Sequence, residues 1–186
     1  MFEDVTHAVS GDRAGYRAQV LRGRNHWAAR LTKIDDLHFF GHHGLAIGDA
    51  NGDGLEDLYL CQEDGLANRL YLQNQDGSLR DVSASWNVDW LEWSRSALLV
   101  DLDNDGLLDL VYTARGVGYI RGDLKDGRFM IRKGYGNFKF GPPKIAKAGW
   151  SAYYAETVDV NGDGYLDIFA PNERAPTVTY LLNPGA

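Results

Sequence analysis

An all-β fold of repeated four-stranded sheets is predicted for this chain from three observations. An acidic nine-residue pattern occurs three times, short apolar runs flank each copy, and 22 glycines call for many tight turns. The copies are Asp49-Ala50-Asn51-Gly52-Asp53-Gly54-Leu55-Glu56-Asp57, Asp101-Leu102-Asp103-Asn104-Asp105-Gly106-Leu107-Leu108-Asp109 and Asp159-Val160-Asn161-Gly162-Asp163-Gly164-Tyr165-Leu166-Asp167. Each reads D-x-[DN]-x-D-G-x-x-D, and the spacings are 52 and 58 residues.

The strands follow in order around these loops. Leu45-Ala46-Ile47, Ala97-Leu98-Leu99-Val100 and Ala155-Glu156-Thr157-Val158 precede them, and Leu58-Tyr59-Leu60, Leu110-Val111-Tyr112 and Ile168-Phe169-Ala170 come after. Apolar, β-branched and aromatic runs bounded by Gly and Asp read as strands. Third strands are predicted over Arg69–Asn74, Arg128–Lys133 and Val178–Asn183. The Asp76-Gly77 pair turns the first of these into a fourth strand, Leu79–Ser83, as an Asp-Gly hairpin. Gly134–Asn137 does the same ahead of Phe138-Lys139-Phe140. Four short antiparallel strands per roughly 50 residues make the blade of a β-propeller. A sandwich would not repeat its sequence at this period, and no long segment has the helical period.

Residues 37–186 divide into three such blades, at about 37–88, 89–146 and 147–186. The last ends at Asn183-Pro184-Gly185-Ala186, where a fourth strand is due, and Phe2-Glu3-Asp4-Val5-Thr6 aligns with the fourth strand Leu79-Arg80-Asp81-Val82-Ser83. Residues 1–36 therefore read as a leading fourth strand followed by a basic β segment, with strand-like runs over Tyr16–Leu21 and His26–Leu31. Three blades fall below the usual range of about four to eight. The chain is thus read as a piece of a longer propeller, with self-association of copies, or closure by its own N-terminal strand, as the alternatives.

Carboxylate and amide oxygens at alternating positions of a tight loop turn inward, and hard oxygen ligands suit Ca²⁺. Glycine at the sixth position allows the sharp turn. Side-chain ligands are expected from positions one, three, five and nine: Asp49, Asn51, Asp53 and Asp57; Asp101, Asp103, Asp105 and Asp109; Asp159, Asn161, Asp163 and Asp167. Position seven would add the backbone carbonyls of Leu55, Leu107 and Tyr165. An EF-hand is excluded, because its twelfth position needs Glu and here holds Leu60, Tyr112 and Ala170 inside strands. Ten aspartates crowded into three loops repel one another unless neutralised. Three Ca²⁺ ions would bring the formal net charge from −7 to −1. Mg²⁺ fits an irregular carboxylate-rich cage less well than the larger ion.

With these loops and strands, the chain from about Phe39 onward resembles the FG-GAP and VCBS repeats of integrin α-subunit propellers and bacterial surface proteins. Phe138–Pro143 followed by Val158–Gly164 looks like a VCBS linker running into its calcium loop. Asn68–Leu72 through Leu79–Ser83 is closer to the cartilage-acidic-protein type of the group. The resemblance implies a propeller fold and calcium at the loop positions already named; it does not imply a partner.

The net charge of −7 argues against a nucleic-acid surface, and no apolar run is long enough to insert in a bilayer. Met1–Val5 lacks the layout of a signal peptide. Cys61 is the single cysteine, so no internal disulfide forms, and a buried thiol is expected. Phe40, Trp93 and Trp150 recur eight or nine positions before each loop, where they serve either as inter-blade packing or as a ring that stacks on a sugar. Trp86, Trp90 and Trp93 form either a binding edge or core. His38, His42 and His43 lack the convergent partners of a zinc site, and the basic run from Arg13 to Arg30 reads as a solvated strand face, with docking of anionic glycans as the alternative. No nucleophile elbow, metalloprotease helix or phosphate loop is present in the sequence. The expected function is a non-enzymatic, calcium-binding adhesion or ligand-binding module facing a protein or a glycan. The alternatives are a lectin-like propeller and the scaffold part of an exported enzyme. Extracellular calcium modules bind at roughly 10⁻⁴ to 10⁻³ M, which points to an extracellular, cell-surface or periplasmic setting.

Overall fold

The computed structural model describes Ala18 and residues 44–62, 66–91, 93–115, 127–136, 139–149, 152–172 and 176–185, with only the backbone of Trp93 and Arg115. These residues form eleven strands in three antiparallel sheets. Sheet one contains β1 (Leu45–Gly48), β2 (Asp57–Leu60), β3 (Arg69–Gln73) and β4 (Leu79–Asp81). Sheet two contains β5 (Trp93–Val100), β6 (Asp109–Arg115), β7 (Gly127–Arg132) and β8 (Lys144–Lys147). Sheet three contains β9 (Glu156–Val158), β10 (Asp167–Pro171) and β11 (Val178–Leu181). In every sheet each strand pairs with the next in sequence, the up-and-down order of a propeller blade.

Each acidic loop joins the first two strands of its sheet. The pairs that close the loops are Gly48 with Asp57, Val100 with Asp109 and Val158 with Asp167. The ninth position of the pattern is thus the first residue of a strand. The Asp76-Gly77 turn is also as predicted: Gly77 has a positive φ of 79° and its N–H reaches the Asn74 carbonyl at 2.8 Å.

The fourth strand of sheet two differs from the expectation. It is Lys144–Lys147, paired with Arg128–Ile131; of the expected Phe138-Lys139-Phe140, Phe138 lies outside the described residues. Phe140 makes only a single bridge to Gly134, and Gly141 N–H then bonds to the Lys133 carbonyl at 2.8 Å. Pro142 and Pro143 follow; neither has an N–H to donate to a ladder, so the regular strand resumes after them. Sheet three has three described strands, which leaves β11 as an edge where the alignment expects a fourth. The N-terminal segment proposed for that place, the segment 1–36 apart from Ala18, and the His38 to His43 cluster lie outside the described residues.

Side chains alternate across each strand, so every sheet has two faces. One apolar cluster joins sheets one and two, with Ala46, Tyr59, Leu70, Leu72 and Trp86 against Ala97, Leu110, Tyr112 and Met130. A second joins sheets two and three, with Val111, Phe129 and Ala148 against Ala155, Ile168 and Ala170. Sheet two therefore buries both faces. Cys61 is fully buried in the first cluster, as expected, and burial pushes its thiol pKa well up. Close packing between the first two sheets also decides Gly44, where a Cβ would lie 2.4 Å from the Arg95 carbonyl oxygen.

Candidate metal centres

The three loops fold on one scaffold of side-chain to backbone bonds. Asp49 at position one accepts from the N–H groups of Gly52 (2.7 Å), Asp53 (3.0 Å) and Gly54 (2.7 Å). Asp159 accepts from Gly162, Asp163 and Gly164 at 2.7, 3.1 and 2.8 Å. Asp101 accepts from Asp105 and Gly106 at 3.2 and 2.8 Å. At position five, Asp53, Asp105 and Asp163 each accept from the N–H of position seven at 2.9 Å. These Asx turns coil the chain around its own carboxylates. The sixth-position glycines have φ of 84°, 84° and 90°, a region that L side chains avoid.

The ninth aspartate does different work. Asp57 is buried and accepts from Ala50 N–H at 2.9 Å and Gln73 N–H at 3.0 Å. Asp109 accepts from Leu102 at 3.0 Å and Gly134 at 2.7 Å, and Asp167 from Val160 at 3.1 Å and Asn183 at 2.7 Å. One carboxylate thus ties the start of its own loop to the end of the third strand. Burial raises the pKa of Asp57 to about 6, against the lowering effect of its two backbone bonds, and nearby Asp53 and Asp49 raise it further. Asp109 is raised for the same first reason, with Asp103 adding to it.

Loop two departs from its neighbours in two linked ways. Position three is Asp103, whereas the other loops have Asn51 and Asn161, whose amides donate to Asp53 and Asp163 at 2.8 Å. The extra carboxylate is matched by Lys133, whose ammonium pairs with Asp103 and lies 2.9 Å from Asp105. By strand register Lys133 occupies the place of Leu72 in sheet one and Leu182 in sheet three. At its ligand positions loop two therefore carries one more negative charge than its neighbours, and Lys133 sets a positive charge beside it. The lysine bond holds the Asp105 carboxyl below the usual range. Asn104 at position four takes a positive φ of 59°, and its amide donates to the Gly164 carbonyl at 2.9 Å, linking loops two and three.

The donor set of loop two fits a hard cation. Carboxylate oxygens of Asp101, Asp103 and Asp109 all lie within 4.8 Å of one another. Oδ1 of Asp103 is buried without a hydrogen-bond partner among the described residues, an acceptor left over after the protein's own donors are placed. All-oxygen carboxylate donors match Ca²⁺ chemistry, and softer metals would look for nitrogen or sulfur. In loops one and three Asn51 and Asn161 stand where Asp103 does, giving three carboxylates and one amide oxygen per loop.

The other predicted positions divide. Trp86 is buried and packs on Phe140 with ring centroids 5.8 Å apart. Trp90 carries the buried Arg132 guanidinium over its ring at 4.7 Å. Both rings take part in packing, with Trp86 buried and Trp90 half-buried. Trp93 opens β5, its side chain lies outside the description, and Phe40 and Trp150 lie outside the described residues. The sequence reading missed Lys133; its only signal was a charged residue at the end of a strand where the repeat otherwise has Leu. Among the described residues no helix is long and apolar enough to cross a membrane.

Residues 49–112, from the first position of loop one through most of β6, match the FG-GAP-like repeat family. The chain is also similar to cartilage acidic protein 1 of Xenopus tropicalis, at 31% identity over 75 residues. That alignment covers 40% of this chain and 11% of the relative, so the chain spans a small part of that protein's length.

Proposed function

With an FG-GAP-like repeat as premise, we propose that this chain is a non-enzymatic, calcium-binding propeller module that presents a surface for protein or cell-surface ligands. The observation that carries the proposal is the buried Oδ1 of Asp103, without a hydrogen-bond partner among the described residues, inside a cluster where Asp101 and Asp109 already hold backbone N–H groups and the other Asp103 oxygen pairs with Lys133. The same scaffold in loops one and three extends the reading to three ions. Calcium, when bound, supplies the positive charge that lets crowded carboxylates stay ionised.

The residues divide the task. Positions one, three and five, with the position-seven carbonyls, supply the ligand oxygens. The ninth aspartate anchors each loop to the strand ends and gives its remaining lone pairs to the ion. A ligated or clamped carboxylate is a poor general acid or base, and this supports a binding role over a catalytic one. Millimolar calcium fills loops of this kind, so the setting we infer is extracellular, on a cell surface or periplasmic.

Isothermal titration with Ca²⁺ tests the reading. About three sites are expected, and Asp53→Ala, Asp105→Ala and Asp163→Ala should each remove one. A stoichiometry near zero, or Mg²⁺ binding as tightly as Ca²⁺, would contradict it.

A further inference from the structure

The repeat places each strand position at equivalent points in the three sheets, and two of the equivalent faces are left without a packed sheet among the described residues. On the face that sheet two turns toward sheet one, Ala97, Leu99, Leu110 and Tyr112 pack in the shared cluster. Their counterparts in sheet three, Ala155, Ile168 and Ala170, pack against sheet two. The counterparts in sheet one are Leu45, Ile47, Leu58 and Leu60. Leu45 is 52% exposed and Ile47 59%, while Leu58 and Leu60 are half-buried.

The opposite face shows the same pattern in reverse. Tyr59 and Leu70 of sheet one, and Val111 and Ile131 of sheet two, pack against the sheet that follows. The counterparts in sheet three are Phe169 and Tyr180, stacked with ring centroids 6.2 Å apart. Tyr180 is 59% exposed, and Val158, the counterpart of the packed Val100, is 44% exposed. Clustered exposed apolar side chains mark an interaction surface.

We propose that the outward face of sheet three (Val158, Phe169, Tyr180) receives the outward face of sheet one (Leu45, Ile47) from a second copy of this chain. The complement that Phe169 and Tyr180 require is already present in the molecule. At both internal interfaces a face carrying the positions of Phe169 and Tyr180 packs on a face carrying the positions of Leu45 and Ile47. Copies joined this way continue the sheet stack with the same register of contacts. The contact is heterologous, head to tail, so it leads to a closed ring or an open array. This inference does not depend on calcium being the bound ion.

Sedimentation velocity of the full chain from about 1 to 100 µM is the test. Mass is expected to rise with concentration above that of one copy. Tyr180→Lys and Ile47→Lys should each sediment as single copies, because each lacks one of the two faces. Mixed in equal amounts they should form pairs and nothing larger, since one intact face of each kind remains. Both substitutions are at exposed positions, and circular dichroism confirms folding; Tyr180→Thr and Ile47→Thr serve if a lysine variant unfolds. A wild-type chain that stays a single copy throughout would overturn the proposal and mean that other residues of the same chain cover these faces. Association of the wild type without pairing of the mixed variants would overturn it too, by placing the contact elsewhere.

Discussion

Asp57, Asp109 and Asp167 are buried and each ties the start of its loop to the end of the third strand through two backbone N–H groups, which separates them from the more exposed acids of the same loops, whose bonds stay within the loop or go to Lys133. Replacing Asp109 by Asn leaves one acceptor oxygen where two were used, and a buried unpaired N–H costs about 1–3 kcal/mol. Asp109→Asn is therefore expected to lower urea stability by about that much even in chelator, whereas Asp105→Asn acts mainly on calcium binding. Equal effects in chelator would contradict the division. Titration gives a second prediction. The Asp57 carboxyl rises from 3.8 to about 6 on folding, so between those values the folded chain holds more protons than the unfolded one. Without calcium, the Asp57 contribution to stability is greatest below that window and is lost as pH rises through it. Calcium needs the ionised form, so binding at pH 6 should release protons and binding at pH 8 should not. Calorimetry in buffers of different ionisation enthalpy reads this, and a buffer-independent enthalpy at pH 6 would contradict it. Lys133 gives a third. Because its ammonium pairs with Asp103 and Asp105, calcium at loop two must displace it. Lys133→Met is expected to tighten one site roughly two- to five-fold, the range of an exposed ion pair. Unchanged or weaker affinity would show that the lysine does not compete.

At the scale of the element, the loop between paired strands is what the sequence made most legible. Asp and Gly at set positions leave few ways to fold nine residues, and all three copies adopt the expected turn. Gly164→Ala would force a side chain into φ of 90° and should cost on the order of 1–2 kcal/mol while weakening calcium binding, measured by urea unfolding and titration. The first three strands of each repeat were legible for a similar reason: alternation and flanking turns agree. The fourth strand of sheet two was not. Phe138-Lys139-Phe140 has the composition of a strand, but pairing depends on where Gly141-Pro142-Pro143 allows the ladder to resume, and composition does not reveal that. Trp86 and Trp90 were equally ambiguous, since packing on Phe140 and under Arg132 depends on residues far away in sequence. Lys133 was missed because the register that brings β7 to loop two is a tertiary fact.

At the scale of the molecule, the described residues form a stack of three sheets with sheet two buried on both sides, and stability depends on the two apolar layers and on the charge state of the loops. Phe129 lies fully buried in the second layer, so Phe129→Ala should cost about 3–5 kcal/mol in urea unfolding and loosen sheet three from sheet two. The central claim is that calcium completes the loops, and thermal unfolding of the full chain tests it most directly. Melting in about 1 mM Ca²⁺ is compared with melting in chelator, with Mg²⁺ as the control. At a Kd of about 0.1 mM each filled site adds roughly 1.4 kcal/mol, so three add roughly 4 kcal/mol. For a chain of this size that corresponds to a rise in Tm of about 8–16 °C. A rise of that order with calcium alone is the predicted result; the same Tm in calcium and in chelator would contradict the claim.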